Sequence, residues 1–409
     1  MKMKITLLHY AAPPVVGGVE RVIGEHARLM VADGQQVTIL AGRGAQTDPR
    51  IPFIELPQVD SRHAEVLAVK AELDAGKVTH RFDRLVADLE AELSQRLANT
   101  QILIAHNVCS LNKNLALTAA LKKIAERPGA PRLILWHHDL AWTTPRYRSE
   151  LHDGYPWDLL RVDWPEATLV TVSQMRGDEL AQLLGVPDKR IKVVPNGVDL
   201  ARFLKLEIQT VQLIEKLDLL SAAPLVLLPV RITPRKNIEM AIRILAALRG
   251  NFPHARLVVT GPLGPHNPAN TAYFKTLTSL RASLKLDHAV VFLAEHTTDY
   301  LPDEVIADFY QLADALLLPS REEGFGIPIL EAGLAGLPVF CADIPPLREL
   351  GEKAAVFFSL DANPREVGSL IAHKLAPDNA FKLRLRVKLE YTWQNIYKDN
   401  IRPLLIGKR

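Results

Sequence analysis

Short, wholly apolar runs alternate with longer stretches of helical periodicity from one end of the chain to the other. The first half carries "KITLLHY", "QVTILA", "QILIAHN", "RLILWHH", "TLVTVS" and "IKVVPN"; the second carries "APLVLLPV", "ARLVVTG", "AVVFLAE", "ADALLLPS", "LPVFCAD" and "AAVFFSL". A strand that reads as a continuous hydrophobic run is covered on both faces, and strands alternating with helices form parallel sheets. The pattern predicts two doubly wound, Rossmann-like α/β domains. Residues 200–223 hold no such run, so the first domain is expected over 1–197 and the second over 198–384. The tail 385–409 is helical in pattern, and Tyr391, Trp393 and Tyr397 offer anchors by which it packs back onto the first domain. Residues 61–99 also read as helical, interrupted at Gly76.

Length agrees with this division, since 409 residues exceed one ordinary domain of about 100–200 residues. With 48% hydrophobic and 23% charged residues the chain can bury two sizeable cores. A formal charge of only +3, spread without blocks, leaves no footprint for nucleic acid. The apolar start is broken by His9, Pro13 and Pro14, which reads as a first strand rather than a leader. No run approaches the roughly 20 apolar residues that span a bilayer, and the expected location is the cytoplasm. Cys109 and Cys341 lie in unrelated apolar contexts without metal-ligand spacing, as buried structural thiols would.

Ligands of open parallel sheets bind beyond the carboxyl ends of the strands, so the residues just after each run carry the information. After "ITLLHY", Gly17 and Gly18 precede a helix expected near Val19, leaving amides that an anion could approach. After "PLVLLPV", "RITPRKN" sets Arg231 and Lys236 on either side of a short loop that ends at a helix start, a fork of donors and a mobile point charge suited to a diphosphate. In "SREEGFGIPILEAGLAG", Pro328 belongs in a first helical turn, so a helix begins near Gly326 or Ile327. Glu323 then stands before that helix and Glu331 on its second turn. Gly324, Phe325 and Gly326 lie between them at the positive helix end, a cradle for phosphate flanked by two acceptors for hydroxyl groups. Two acids could also hydrolyse glycosides, or simply stabilise a helix end, but neither use explains the glycines. "LILWHHDLAW" ends a strand with His137, His138 and Asp139; these could be structural, catalytic or, with a third ligand that the spacing does not supply, metal-binding. No D-x-D, no phosphate-binding G-x-x-x-x-G-K-[ST] and no complete dinucleotide fingerprint occurs.

In order along the chain, "GGVERV", "HHD", "VTVS", "VVPNGVD", "RITPRKN", "LVVTG", "ADALLLPSREEGFGIPILEAGLAGLPV" and "YTW" resemble the retaining glycosyltransferases of family 4, whose architecture is the two-domain GT-B fold with a cleft between the domains. The resemblance implies a nucleotide diphosphate sugar as donor, a small-molecule or glycan acceptor, retention of anomeric configuration and no metal or other cofactor for the chemistry. Carried over by matching position, Arg231 and Lys236 would hold the diphosphate, Glu331 the ribose and Glu323 the transferred sugar. The amides of Phe325, Gly326 and Ile327, with Gly18, would surround phosphate and sugar, and His138 would stand beside the anomeric carbon with Asp139 following it. Glu349 in "PPLREL" falls near another patterned acid of the family, but Ile344 and Pro345 replace the usual Gly-Gly before it. "WHHDLAW" and "TGPLGPHNPANTAYF" are similar to a subgroup, the mannosylglucosylglycerate synthases, which implies GDP-mannose and a small anionic acceptor. Arg146 and Arg148 would then meet the acceptor carboxylate. A UDP-glucose transferase acting on a lipid or polysaccharide, a phosphorylase or epimerase on the same architecture, and a binding module without turnover are the competing readings.

Overall fold

The computed structural model of the chain describes residues 2–263, 268–297 and 300–407. It consists of two compact units, one comprising Met1–Gly197 with Trp393–Arg409 and the other Val198–Thr392. The first contains β1 (Lys4–His9), β2 (Gln36–Ala41), β3 (Phe53–Glu55), β4 (Ile102–His106), β5 (Arg132–His137), β6 (Thr168–Thr171) and β7 (Ile191–Val193), in the order β3-β2-β1-β4-β5-β6-β7. The second contains β8 (Leu225–Leu228), β9 (Arg256–Val259), β10 (Val290–Phe292), β11 (Ala315–Leu318), β12 (Val339–Ala342) and β13 (Val356–Phe358), in the order β10-β9-β8-β11-β12-β13. Among the described residues every strand pairing is parallel. Each of the twelve apolar runs forms a strand. Among the described residues only β3 escaped the pattern, because Pro52 and Glu55 cut its apolar run down to Phe53 and Ile54.

Alternation of side chains across each strand explains the uniform hydrophobicity. In β1, Leu8 packs into one core with Leu40, Leu103 and Leu135, while its neighbour Leu7 packs into the opposite core with Ile39, Ile104 and Ile134. With helices on both faces, neither set can be polar. The same rule makes all four residues of β8, β11 and β12 buried. Both cysteines are buried and free, and burial pushes the Cys341 thiol up to about 12. In each sheet the strand order reverses beside the first strand, between β1 and β4 and again between β8 and β11. Helices leave to opposite faces at that reversal, so the loops beyond these strands open a crevice at the strand ends.

The crossing of the tail falls later than residue 385. The helix Asn379–Glu390 belongs to the second unit, and the chain returns to the first at Trp393. Asp314, fully buried at the foot of β11, holds this helix: Lys388 Nζ reaches it at 2.8 Å, Arg384 Nε at 3.3 Å, and the Leu225 amide donates to it at 2.8 Å. Beyond the break, Trp393, Ile396 and Tyr397 are buried in the first unit's core. Gly197 is required there, since a Cβ would come within 2.8 Å of the Trp393 backbone.

Removing one partner of a buried pair leaves an uncompensated charge, which costs about 3–5 kcal/mol. Lys388→Met is expected to fall at the lower end, because Arg384 remains, whereas Leu383→Ala on the exposed face of the same helix is near neutral; urea denaturation of both variants measures this.

Candidate functional site

The second unit gathers its polar groups at the reversal between β8 and β11. Beyond β8 the chain passes Arg231 and makes a short turn, Pro234–Lys236, before the helix Ile238–Leu248. Beyond β11 it runs through Ser320 to Glu323 and enters the helix Ile327–Leu334. Side chains lock these two loops together. The Asn237 side-chain amide donates to the Pro319 carbonyl at 3.1 Å, the Arg321 amide donates to the Arg235 carbonyl at 2.8 Å, and the Arg321 guanidinium donates to Asn237 Oδ1 at 3.2 Å while lying 3.5 Å from Glu239.

Within this frame the two predicted cations stand apart in environment. Arg231 is exposed, whereas Lys236 is buried and its Nζ donates to both carboxylate oxygens of Glu323 at 2.6 Å. The pair lies just ahead of the helix whose first amides are free of intrahelical partners. Pro328 occupies the first turn of that helix, as its spacing predicts. Gly326, at φ 107°, is its N-cap in the left-handed region, and a Cβ there would come 2.7 Å from Leu347. The chain itself therefore requires glycine at 326. Gly324 is different: a Cβ would meet nothing within 4 Å, so the protein's own packing does not demand glycine there. Phe325 and Ile327 are more than half exposed. Glu331, on the second turn, accepts a hydrogen bond from Tyr310, whose hydroxyl is driven far up its scale by burial and by that carboxylate. Neither this tyrosine nor Asn237 was singled out in the sequence, because their partners are distant in the chain. Ser320 sits immediately after the "ADALLLP" strand and could have been found from that position; its hydroxyl is buried without a partner. Glu349 lies in the short helix Pro345–Gly351.

The first unit assembles histidines at the ends of β1, β4 and β5. β5 stops at His137, so His138 and Asp139 are released from strand alternation, and their amides both donate to Asn107 Oδ1, at 2.7 and 3.1 Å. Asn107 itself adopts φ 57°. His138 Nε2 lies 3.1 Å from His106 Nδ1, and His9 Nδ1–H donates to the His106 carbonyl at 2.7 Å. His26 lies edge-on to Trp136 and Trp393, with neither ring nitrogen partnered. Burial holds these rings neutral: His9, His26 and His137 are driven down to about 3, and His138 to about 4, with Asp139 opposing the fall. His106 is driven down as well. Glu20 approaches His9 at 4.0 Å, but a neutral imidazole makes this a contact and not a charge pair. His137, fully enclosed with both nitrogens unpartnered, is structural.

Gly17 and Gly18 open the helix Gly18–Ala32, one residue earlier than expected. The carboxylate of Glu20 folds back over Gly17, where a Cβ would overlap it, while Gly18 has open space. Arg146 and Arg148 are exposed on the turn Pro145–Glu150 and lie over aromatic rings, Arg146 above Tyr147 at 4.8 Å and Arg148 above Trp142 at 5.5 Å. The predicted residues are thus divided between the two units. Among the described residues, no three His, Cys, Asp or Glu side chains converge as a metal-binding group, and no helix is long and apolar enough to cross a membrane. Residues 264–267 of "TGPLGPHNPANTAYF" lie outside the described residues.

Comparison with known proteins matches both units. Residues 16–202 fit the model of Glycosyltransferase Family 4, and residues 212–367 fit that of Glycosyl transferases group 1. The chain belongs to the GT-B glycosyltransferases of group 1, family 4. Among its relatives, a glycogen synthase of Mycobacterium tuberculosis is 25% identical, with 100% of this chain and 95% of the relative covered. A mannosylglucosylglycerate synthase of Petrotoga mobilis is 22% identical over 84% of this chain and 83% of the relative. A GDP-mannose-dependent alpha-(1-6)-phosphatidylinositol monomannoside mannosyltransferase of Mycolicibacterium smegmatis is 29% identical over 54% of each.

The histidine cluster sets a pH dependence. An unfolded histidine takes up a proton below about 6.5, whereas His26 in the fold does so only near 3. Its contribution to stability is present above the unfolded value and is lost progressively as pH falls between the two. His26→Phe removes this loss, so from pH 7 to pH 5 the variant should gain about 2 kcal/mol on the wild type, read from urea midpoints at the two pH values.

Proposed function

We propose that the chain is a retaining, metal-independent hexosyltransferase that moves mannose from GDP-mannose to a hydroxyl of a small anionic acceptor such as glucosylglycerate. The observation that carries the donor site is the buried Lys236–Glu323 pair, set ahead of a helix amino end at the strand-order reversal. A cation from one loop, an acceptor from the other and free amides at the helix start, brought together beyond two neighbouring strands, match a sugar diphosphate. Arg231 and Lys236 hold the diphosphate, the amides of Phe325, Gly326 and Ile327 receive phosphate oxygens, Glu323 accepts from sugar hydroxyls and Glu331 from the ribose. In the first unit, His138 and the helix end at Gly17 and Gly18 serve the reacting sugar, and Asp139, Arg146 and Arg148 serve the acceptor.

In the transfer, the bond from the anomeric carbon to the phosphate oxygen breaks and one to the acceptor oxygen forms on the same face. The acceptor proton passes to the departing phosphate. Charge grows on that phosphate, and preorganised donors around it contribute most of the rate. Lys236 has a double role, since it neutralises Glu323 until the sugar's hydroxyls take over that carboxylate. Absence of a D-x-D from the sequence supports chemistry without a metal clamp. The likeness to mannosylglucosylglycerate synthase supports mannose as the sugar; the full-length likeness to glycogen synthase favours, as the second reading, a glucosyl donor and a glycan acceptor.

Calorimetry with GDP-mannose, UDP-glucose and ADP-glucose, followed by product analysis, tests the donor. GDP-mannose should bind and give an α-linked product, and binding confined to UDP-glucose would select the second reading. Arg231→Ala and Lys236→Ala should each lower kcat by about 10²- to 10³-fold, and near-normal turnover in both would remove the phosphate assignment. Turnover should be unchanged by EDTA.

A further inference from the structure

We propose that His106 is a positioning residue that locks His138 in its Nδ1–H tautomer. His106 is the last residue of β4 and is wholly buried. Its ring is stacked on Trp136, with centroids 5.4 Å apart at 26°, and its carbonyl is held by the His9 Nδ1–H. On the facing side, Asn107 clamps the His138 amide at 2.7 Å. Both ends of the 3.1 Å contact between His106 Nδ1 and His138 Nε2 are thus fixed. Two neutral imidazoles across such a contact share one proton, and both rings are held neutral by burial.

The unused nitrogen of His106 decides which ring donates. His106 Nε2 is buried with no partner among the described residues. Were His138 the donor, His106 would carry its own proton on that nitrogen, an N–H sealed away from any acceptor. With His106 as donor, only a bare lone pair is left there; orphaned N–H groups are the rarer outcome in folded proteins, unpaired acceptors less so. His138 is then left with its proton on Nδ1, the atom turned away from His106. On the transferase reading, and only there, this makes His138 a hydrogen-bond donor toward oxygens of the sugar rather than a base.

Nitrogen-15 spectra of ring-labelled protein, taken without nucleotide sugar, test the tautomer independently of that reading. The signals among the 13 histidines are assigned by their loss in His138→Asn. In the wild type His138 should show a protonated Nδ1 and a bare Nε2. His106→Phe keeps the stacking but removes the donor, and His138 should switch to the Nε2–H form that an isolated histidine prefers. His106→Asn places an N–H where Nδ1 was and should restore the Nδ1–H form. A proton on His138 Nε2 in the wild type overturns the proposal, as does an unchanged tautomer in His106→Phe. If the Phe variant fails to fold, the wild-type spectrum alone still decides.

Discussion

A parallel sheet covered by helices on both faces has nowhere to put polar chemistry except beyond its strand ends. In this chain that constraint acts twice, once in each unit, and it governs where every candidate residue lies. The strands can be uniformly apolar because their two faces meet two cores, as Leu7 and Leu8 do. Strand-order reversal between β1 and β4, and between β8 and β11, then opens the crevices into which the charged loops project.

Placing charge in such a crevice carries a desolvation cost, and each unit meets it differently. In the second unit opposite charges are paired. Lys236 neutralises Glu323 at the crevice, while Lys388 and Arg384 neutralise Asp314 at the opposite end of β11. The first of these pairs can exchange partners when a ligand brings hydroxyls and phosphates; the second has no such opportunity and acts as a fastening for the last helix of the unit. In the first unit the buried histidine rings themselves stay uncharged, with Asp139 and Glu20 beside them. Burial holds five histidines neutral, and a hydrogen bond that Asn107 accepts from the His138 amide, with one that His9 donates to the His106 carbonyl, fixes the geometry around His138.

Glycine and proline tune the same sites. Pro328 sets the helix start, and Gly326 turns the chain through a conformation that Leu347 closes to any side chain. Gly197 lets the chain pass Trp393 at the crossing between units. Gly324 does neither, since a Cβ there would meet nothing within 4 Å.

The alternation of apolar runs and helical stretches by itself determined twelve of the thirteen strands among the described residues and the α/β class, and Pro328 set a helix start near Gly326 or Ile327, because each is dictated by neighbours within a few residues. β3 was missed because Pro52 and Glu55 interrupt its apolar residues. Positions just beyond strand ends and around a helix start singled out Arg231, Lys236, Glu323, Glu331 and His138 as candidates, and the residue-by-residue likeness to family 4 added a role for each. Only the folded chain decided how those groups are employed before any ligand arrives. That Lys236 meets Glu323 across 87 positions, that Tyr310 meets Glu331, and that His106 meets His138 across 32 depends on which strands become neighbours. Contacts of that kind are fixed by topology and burial, neither of which is written into a local stretch of residues.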